Sequence, residues 1–371
     1  MTKATIITLQ NIRNYGSALQ ALATQHIFEE LGCEVDFINY KRANVSTLGK
    51  RLTNWTESYS FLKKIFASLL LIPSFLRQET VFKRFIKANL KQQKKVYTCI
   101  DDFKDYKANS DVYITGSDQT WNSSWNKGVL PELFLAFVPD SIKKIAYAAS
   151  MGKETLDEWE IAETKKYISR YKYISVREKQ AKEIIEKQLQ ISPITQVLDP
   201  TLQVDASFWR SLISTKKSIY TPRKYVLVYQ LNSNKEFDHY ATSFAQKKGW
   251  PLVRLCTRFD QFVKSGKSVL IPEVIDFVTL IANAGCVITD SFHATAFSCN
   301  LNTPMICIYP NDFNSRLSNL LSLLQLNDRH LKSYDDFSFL NSLDIDFKKI
   351  NDLLKDEREK GITFLKKALE I

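Results

Sequence analysis

Residues 4–31, with the sequence ATIITLQNIRNYGSALQALATQHIFEEL, place a short β-branched run directly before a helical pattern. The run at 4–8 is typical of a strand, because β-branched side chains pack well on a pleated surface. From residue 16 onward, apolar residues recur three and four positions apart, which predicts an amphipathic helix at 16–31. A strand followed at once by a helix is the repeating unit of a parallel α/β fold.

The same alternation runs through the chain and predicts two doubly wound domains. Further strands of the first half are predicted at 34–40, 111–116, 144–150, 173–177 and 195–199. A second series is predicted at 225–231, 251–257, 286–290 and 304–309, with helices near 235–248, 273–283 and 293–300. The predicted fold class is therefore α/β, with two Rossmann-like domains facing a cleft.

Length and pattern together set the predicted boundaries. At 371 residues the chain is longer than one typical domain. We assign 1–202 to an N-terminal Rossmann-like domain that carries a basic amphipathic insertion at about 45–105. Residues 203–345 form the C-terminal Rossmann-like domain. Residues 346–371 form a helical tail, for which packing against the N-terminal domain is the expected arrangement.

Composition indicates a globular protein with reduced thiols. Hydrophobic residues make up 44% of the chain and charged residues 25%, which is ordinary for a soluble protein. The six cysteines are scattered without a CxxC pair, which disfavours both a disulfide framework and a zinc site. We find no stretch with the roughly 20 uncharged apolar residues of a membrane-spanning helix. We therefore expect a cytoplasmic protein, with peripheral contact to the inner face of the membrane as an option.

Peripheral membrane contact is considered because of the net charge of +11. Most of this charge lies in residues 51–95, which contain ten Lys or Arg and two Glu. Phe82, Phe85 and Ile86 recur at helical spacing among these charges, so part of the segment is predicted to be a basic amphipathic helix. One interpretation is a solvated helix whose apolar stripe packs on its own domain. The other is a docking surface for anionic lipid or a phosphate-bearing substrate. Because no nucleic-acid motif accompanies the charge, nucleic acid is not expected as a partner.

Polar clusters follow several of the predicted strands. In open α/β sheets, ligands bind beyond the carboxyl ends of the strands, so we expect these clusters to line the ligand site. They are NYGSALQ (14–20), TGSDQTWN (115–122), SVRE (175–178), LDPTL (198–202) and TDSFHATAF (289–297).

The first two clusters have both a functional and a structural interpretation. The N–H groups of a helix start suit a phosphate or carboxylate, although the turn at 14–17 is not the GxGxxG of a dinucleotide site. Amide and carboxylate groups beside Trp121 suit the hydroxyls and ring of a sugar. Helix capping and core packing would explain the same residue types. The candidate binding residues are Asn14, Tyr15, Gly16, Ser17, Ser117, Asp118, Gln119 and Asn122.

Two arginines are candidates for binding an anion. Arg177 stands at the end of the predicted strand 173–177, where its planar guanidinium offers a bidentate fork to a carboxylate or phosphate. An ion pair with Glu178 or another acid is the alternative. Arg316 opens an apolar helix, where it either adds positive charge to the site or is an ordinary surface residue.

The turn after the strand 286–290 carries Asp290, Ser291 and His293. A lone histidine is more often structural, but here an Asp and a Ser flank it in a chain with only four histidines. Because no GxSxG elbow is present, Ser291 is disfavoured as an acyl nucleophile. The sequence has no HxH, HExxH or paired-carboxylate motif, so no catalytic metal is predicted.

In their order, these clusters resemble the motif series of the polysaccharide pyruvyl transferase family, from about residue 10 to about residue 330. The matching motifs are NYGSALQA, TGSDQTWN, YAASMG, ISVRE, VLDPTL, TDSFHATAFS and NSRL..LL. The resemblance implies a fold similar to the GT-B glycosyltransferases, phosphoenolpyruvate as donor, and no further cofactor. The implied product is a pyruvate ketal that bridges two hydroxyls of one sugar in a cell-wall, capsular or exopolysaccharide precursor.

The resemblance also implies residue roles. The family's catalytic histidine falls on His293 and its strand-end arginine on Arg177. A histidine with a pKa near neutrality can shuttle the protons of the reaction or, as imidazolium, stabilise the phosphate. The strongly anionic donor calls for arginines and helix N-termini, so we expect Arg177 on the donor and Arg316 as a second contact. The cluster at 115–122 would hold the sugar or oligosaccharide acceptor, lipid-linked or free.

One motif departs from the family pattern, because Ala294 stands where the common form has Gly after the histidine. Two rival functions also fit the patterns. A GT-B glycosyltransferase would use a nucleotide sugar and would need a base and ribose pocket in the second domain. A non-catalytic binding protein would be recruited to a membrane assembly through residues 51–95.

Overall fold

The chain folds into two compact units. The computed structural model describes residues 1–213, 223–310 and 315–371. Unit 1 consists of residues 1–46, 83–204 and 355–371, and unit 2 of residues 47–82 and 205–354. Neither unit is one continuous stretch. Unit 1 includes the end of the chain, whereas residues 47–82, which we assigned to an insertion in the N-terminal domain, belong to unit 2.

Unit 1 is built on a seven-stranded sheet in which all neighbouring strands are parallel. Its strands are β1 (Thr2–Ile7), β2 (Cys33–Tyr40), β3 (Gln92–Tyr97), β4 (Val112–Thr115), β5 (Lys143–Ala149), β6 (Tyr173–Val176) and β7 (Thr195–Gln196). The order across the sheet is β3-β2-β1-β4-β5-β6-β7. The winding direction therefore reverses between β1 and β4, and such a switch point is where parallel α/β sheets bind ligands.

Unit 2 repeats this plan on a smaller, five-stranded parallel sheet. Its strands are β8 (Val226–Tyr229), β9 (Leu252–Cys256), β10 (Lys267–Leu270), β11 (Cys286–Thr289) and β12 (Met305–Cys307). The order β10-β9-β8-β11-β12 places the switch point between β8 and β11. Both of these strands, like β4 in unit 1, are buried along their whole length, as expected where helices cover both faces of a sheet.

Helices connect the strands of both units. They are α1 (Tyr15–Glu30), α2 (Leu48–Thr56), α3 (Phe61–Asn89), α4 (Ser123–Asn126), α5 (Glu158–Ile168), α6 (Lys179–Glu183), α7 (Pro200–Gln203), α8 (Ala206–Ile213), α9 (Lys235–Lys248), α10 (Val274–Asn283), α11 (Phe292–Asn300), α12 (Ser315–Leu323) and α13 (Phe347–Leu369). A single π-helical turn, Ile184–Gln188, follows α6.

The predicted fold class is confirmed, because each unit is a parallel α/β sheet with the Rossmann strand order, the domain content of a GT-B-like fold. The prediction that the two domains face a common cleft stays a prediction. The sequence patterns do not reveal β3 and β10. Both are edge strands, and their lysines and polar residues replace the β-branched runs of central strands, as is common where an edge must resist pairing with another chain.

Helix α3 differs from the expectation that no segment could span a membrane. By length and composition, Leu62–Asn89 is the one helix among the described residues apolar enough to do so, with a mean hydropathy of 1.3 over its most apolar window. This is weak evidence, since core helices of soluble proteins have the same property. The predicted apolar stripe at Phe82, Phe85 and Ile86 is buried, so these side chains are packed within the protein.

Candidate functional site

The loops at the switch point of unit 1 bring together the first two predicted clusters. Asn14 is the N-cap of α1, and its side-chain oxygen accepts hydrogen bonds from the N–H groups of Gly16 (2.9 Å) and Ser17 (3.3 Å). The hydroxyl of Ser17 donates to the carboxylate of Asp118, which follows β4. Tyr15 is buried in the first turn. The cap explains Asn14 structurally, and Ser17 links α1 to the end of β4.

The loop after β4 is held tightly against β1. The Thr8 hydroxyl donates to the carbonyl oxygen of Ser117 at 2.6 Å, and the Ser117 hydroxyl donates to Asp199 at 3.0 Å. A β-carbon on Gly116 would lie 3.1 Å from the Thr8 side chain, so glycine permits this close approach. Asp118 has φ of +77°, a left-handed conformation that costs free energy in a non-glycine residue. The hydrogen bonds of Ser117 and the close contact at Gly116 therefore hold Asp118 in this conformation after the end of β4.

Arg177 lies among three carboxylates in unit 1. Its guanidinium donates to Asp199 at 2.7 Å and to Glu178 at 3.1 Å, and lies 3.8 Å from Asp118. The side chains of Arg177 and Asp199 are almost fully buried. Burial alone would lower the pKa of Arg177, but the charges of Glu178, Asp199 and Asp118 outweigh it and raise the pKa above its ordinary value. We call these four residues the Arg177 cluster.

The Arg177 cluster bears on the predicted contact with the donor. The fork that we expected to meet an incoming anion already binds Asp199 and Glu178. Three carboxylates around one guanidinium leave an excess of negative charge, which would repel a phosphate or carboxylate at short range. Carboxylates accept hydrogen bonds from hydroxyl groups, so this edge of the sheet is chemically better suited to a sugar than to an anion.

Gln119 and Asn122 pair with each other next to a glycine. Asn122 donates to the Gln119 side-chain oxygen at 2.5 Å and caps α4 by accepting from the N–H of Trp125 at 2.9 Å. Gly152 has φ of +59°, and a β-carbon there would lie 2.6 Å from Gln119 and 2.7 Å from Asn122. Asn122 is therefore a structural residue in this conformation, whereas Gln119 keeps partial exposure.

Trp121 belongs to the hydrophobic core of unit 1. It is buried, and its ring stacks on Phe134 with centroids 5.4 Å apart. Its indole ring also meets Tyr171 edge to face. Of the two interpretations of Trp121, the structure supports core packing over contact with a sugar ring.

The switch point of unit 2 carries His293. The Thr289 hydroxyl at the end of β11 donates to the Tyr229 carbonyl oxygen at 2.6 Å, which ties β11 to β8. Ser291 then caps α11, its hydroxyl accepting from the N–H of Ala294 at 3.4 Å. His293 therefore lies in the first turn of α11, which begins at Phe292, one residue before the predicted start. Its residue surface is 7% exposed, and its ring meets Phe292 edge to face at 5.2 Å.

Asp290 fixes the neighbouring loop. Its carboxylate accepts from the backbone N–H of Leu231 at 2.7 Å and of Asn232 at 2.8 Å, and from the Asn232 side chain at 3.0 Å. Burial raises the pKa of Asp290, and these hydrogen bonds oppose that rise. Asp290 thus holds the β8–α9 loop beside the turn that carries His293. In this conformation Ser291 and Asp290 shape the turn.

Arg316 lies in the same unit as His293, at the second residue of α12. Strands β11 and β12 are adjacent and parallel, so the helices that follow them begin at the same edge of the sheet. Arg316 is half-buried there, while Asn314 of the same motif lies outside the described residues. Unit 2 therefore places one imidazole, one guanidinium and two helix N-termini at one sheet edge, a combination that attracts anions.

Three residues of unit 1 were not identified as site candidates from the sequence, namely Glu178, Asp199 and Ser150. Asp199 and Glu178 bind Arg177, and the hydroxyl of Ser150 donates to Glu178. The signal was present, because SVRE and LDPTL both put an acid at a strand end. In the described part of the chain, no group of His, Cys, Asp and Glu side chains is arranged to hold a metal ion.

Comparisons with known proteins bear on this arrangement. A family model described as polysaccharide pyruvyl transferase matches residues 14–312, most of the chain and all but one of the candidate residues. No curated protein matches the sequence significantly.

Solved structures with a similar chain course include two epimerases and a heptosyltransferase. A UDP-GlcNAc 2-epimerase from Neisseria meningitidis is 11% identical, with a TM-score of 0.48 over 97% of this chain and 94% of that one. The epimerase from Methanocaldococcus jannaschii is 12% identical, with a TM-score of 0.48 over 92% and 91%. The E. coli heptosyltransferase WaaC is 11% identical, with a TM-score of 0.42 over 96% and 99%. No substrate is inferred from similarities this distant.

Proposed function

Because the chain belongs to the polysaccharide pyruvyl transferase family, a family of transferases, we propose that it moves the pyruvyl group of phosphoenolpyruvate onto two hydroxyls of one sugar, forming a ketal. The acceptor is a cell-surface polysaccharide or its precursor, and the reaction takes place in the cytoplasm. The observation that carries the proposal is the position of His293. It stands in the first turn of α11, directly beyond β11 at the switch point of unit 2.

The donor contacts are assigned to unit 2. Phosphoenolpyruvate carries a phosphate and a carboxylate, and the sheet edge with His293 and Arg316 has the positive groups that bind both. Asp290 supports this assignment although it is acidic, because its carboxylate is already occupied by three N–H donors of the β8–α9 loop.

The acceptor contacts are assigned to unit 1. Asp118 and the half-exposed Gln119 beside it are assigned to the sugar hydroxyls, because carboxylate and amide oxygens accept hydrogen bonds from hydroxyl groups. Arg177 is then a positioning residue, which holds Asp118, Glu178 and Asp199 in place through its ion pairs. This revises the role that the family resemblance implies for Arg177.

In the proposed reaction, C2 of phosphoenolpyruvate exchanges its bond to phosphate for bonds to two sugar oxygens. A proton is transferred to the methylene carbon of phosphoenolpyruvate, and the oxygen of a first sugar hydroxyl bonds to C2 and loses its proton. The C2–O bond to phosphate then breaks, and a second hydroxyl of the same sugar adds to C2 and gives up its proton. The products are the ketal and inorganic phosphate. His293 is assigned the proton transfers, a role for which imidazole is suited near neutral pH. The reaction needs no cofactor.

Mass spectrometry of candidate acceptors tests the proposal. The purified protein is incubated with phosphoenolpyruvate and a panel of lipid-linked and free sugars, and both a pyruvyl adduct and released phosphate are measured. Adduct and phosphate in equal amounts support pyruvyl transfer. Thermal shift with nucleotide sugars runs in parallel, since stabilisation by one of them, without any effect of phosphoenolpyruvate, would favour a glycosyltransferase instead.

A further inference from the structure

Most of the exposed large apolar side chains of the described residues lie in one region of unit 2. On α2 and α3 they are Trp55, Leu62, Ile65, Leu69, Leu70 and Leu76, with exposures between 46% and 77%. Phe262 and Val263, 63% and 75% exposed, belong to the short helix Phe259–Val263. We call these eight residues the α2–α3 patch. Contiguous apolar patches of this kind are uncommon on monomeric soluble proteins and mark interaction sites.

Contacts within unit 2 place the two parts of the patch side by side. The backbone N–H of Phe259 donates to the Ser74 hydroxyl at 2.9 Å, and the Gln78 side chain donates to the Thr257 carbonyl oxygen at 2.6 Å. The guanidinium of Arg258 lies 4.8 Å from the centre of the Trp55 ring. The helix Phe259–Val263 is thus fixed against α2 and α3, and its two exposed apolar side chains belong to the same region of unit 2.

Within α3, the residues of the patch lie on one face of the helix, and the opposite face is packed. Leu62, Ile65, Leu69 and Leu76 follow the helical repeat and are exposed. Leu71, Phe75 and Gln78 repeat on the other side and are buried, where Arg51 donates to the carbonyl oxygen of Phe75 and to the Gln78 side chain. A helix that uses its inner face for packing of this kind can lie on a bilayer but cannot cross it without losing those contacts.

Basic side chains accompany the patch. Lys50, Lys63 and Lys267 are exposed, and Lys64 is half-buried. Lys63 lies over the ring of Tyr59, with its ammonium 4.5 Å from the ring centre. Lysines beside exposed leucines and aromatic residues form the pattern of helices that bind the interface of an anionic bilayer, where apolar side chains enter the acyl boundary and ammonium groups meet the lipid phosphates.

We propose that the α2–α3 patch is a docking surface for membranes that contain anionic phospholipid. The charge of the patch favours this occupant over a second copy of this basic chain, because two copies would bring their lysines together. The proposal is independent of the catalytic assignment, since it uses none of the candidate site residues and can be measured without either substrate.

Vesicle sedimentation tests the proposal with the full chain. We expect binding to vesicles of phosphatidylcholine mixed with phosphatidylglycerol, weaker binding at high salt, and little binding to phosphatidylcholine alone. The double variant Leu62→Glu and Leu69→Glu should bind at least about tenfold more weakly, since buried leucines drive the insertion. Lys63→Ala with Lys64→Ala should lose about fivefold per lysine.

Matched controls separate the patch from general effects of charge and apolarity. Trp159→Glu replaces an apolar side chain that is 59% exposed on α5, and Lys107→Ala removes an exposed lysine elsewhere in unit 1. Both should bind vesicles like the wild type. Equal binding by the double leucine variant would overturn the proposal. A wild-type protein that binds no vesicles but forms a dimer in light scattering, which the double leucine variant does not form, would also overturn it. So would vesicle-bound protein that alkaline carbonate does not release, because such resistance indicates a spanning helix.

Discussion

The two sheet edges at the switch points differ in how their charges are satisfied. In unit 1, the guanidinium of Arg177 is enclosed by three acids of its own chain. In unit 2, the one acid of the turn, Asp290, binds backbone N–H groups, and the imidazole and guanidinium stand at helix starts. The first edge carries surplus acceptors, and the second carries positive groups. The same strand order therefore carries two different arrangements of charged groups at its switch points.

This difference shows that a strand-end position does not fix what a charged residue does. Arg177 and His293 both follow a buried parallel strand. The guanidinium of Arg177 is already bound by acids, two of which follow other strands. His293 lies in a helix that Ser291 caps, beside a loop that Asp290 holds. The proposed assignment of the acceptor hydroxyls to unit 1 and of the donor to unit 2 rests on this difference.

The largest expected effect is on activity and comes from replacing His293 in unit 2. For His293→Ala we expect a loss of about 10²–10⁴ in kcat, the usual contribution of a general acid or base. Phosphate release in the presence of donor and acceptor measures it, and circular dichroism checks the fold. His239→Ala, at an exposed histidine of α9, is the matched control and should retain activity. Full turnover by the His293 variant would remove this residue from the mechanism.

Disrupting the Arg177 cluster in unit 1 should lower the stability of the protein. Arg177→Met leaves three buried acids without their cation, and we expect a loss of about 3–5 kcal/mol in the free energy of unfolding. Urea denaturation measures it, and adding Asp199→Asn should recover part of the loss, because one buried charge is removed. Lys187→Met breaks an exposed pair with Glu183 and should change stability by less than about 1 kcal/mol. An Arg177 variant as stable as the wild type would contradict the cluster's structural role.

Arg316 is expected to contribute to the affinity for the donor. For Arg316→Gln we expect the KM for phosphoenolpyruvate to rise about tenfold or more, with a smaller change in kcat, because a charge-assisted contact to the donor is lost. Steady-state phosphate release at varied donor concentration checks this. An unchanged KM, or a rise confined to the acceptor, would place Arg316 outside the donor site.

The smallest effect is expected at Ala294. This residue is fully buried in the first turn of α11, in helical conformation, so its methyl group is accommodated by the backbone. Ala294→Gly restores the residue common in the family and should lower the free energy of unfolding by about 0.5–1 kcal/mol, because glycine is a poorer helix former. Thermal denaturation measures it. A stabilised variant would show that the methyl group is strained.

Periodicity and strand-end position were enough to predict the central strands and the helices α1, α9, α10, α11 and α13. They could not predict the partners of Arg177. Asp199 lies 22 residues further along the chain, and the pair forms only when the loop after β7 meets the end of β6. Similarly, the spacing in α3 indicated an apolar stripe at its end but not the exposed face at Leu62 and Leu69. Which side of a helix is packed depends on its neighbours in the fold.

The discontinuity of unit 1 has a consequence for biosynthesis. The last helix, α13, and the residue after it supply partners to the middle of the chain. Arg358 donates to the carbonyl oxygen of Leu202 at 2.8 Å, and Gln203 donates to the carbonyl oxygen of Arg358 at 2.8 Å. Glu370, which follows the helix, pairs with Lys172 at 2.7 Å. Residues 355–371 follow the whole of unit 2 in the sequence and are therefore synthesised after it. Unit 1 can be completed only once unit 2 has been synthesised, and a chain that lacks residues 355–371 would leave these bonds unmade.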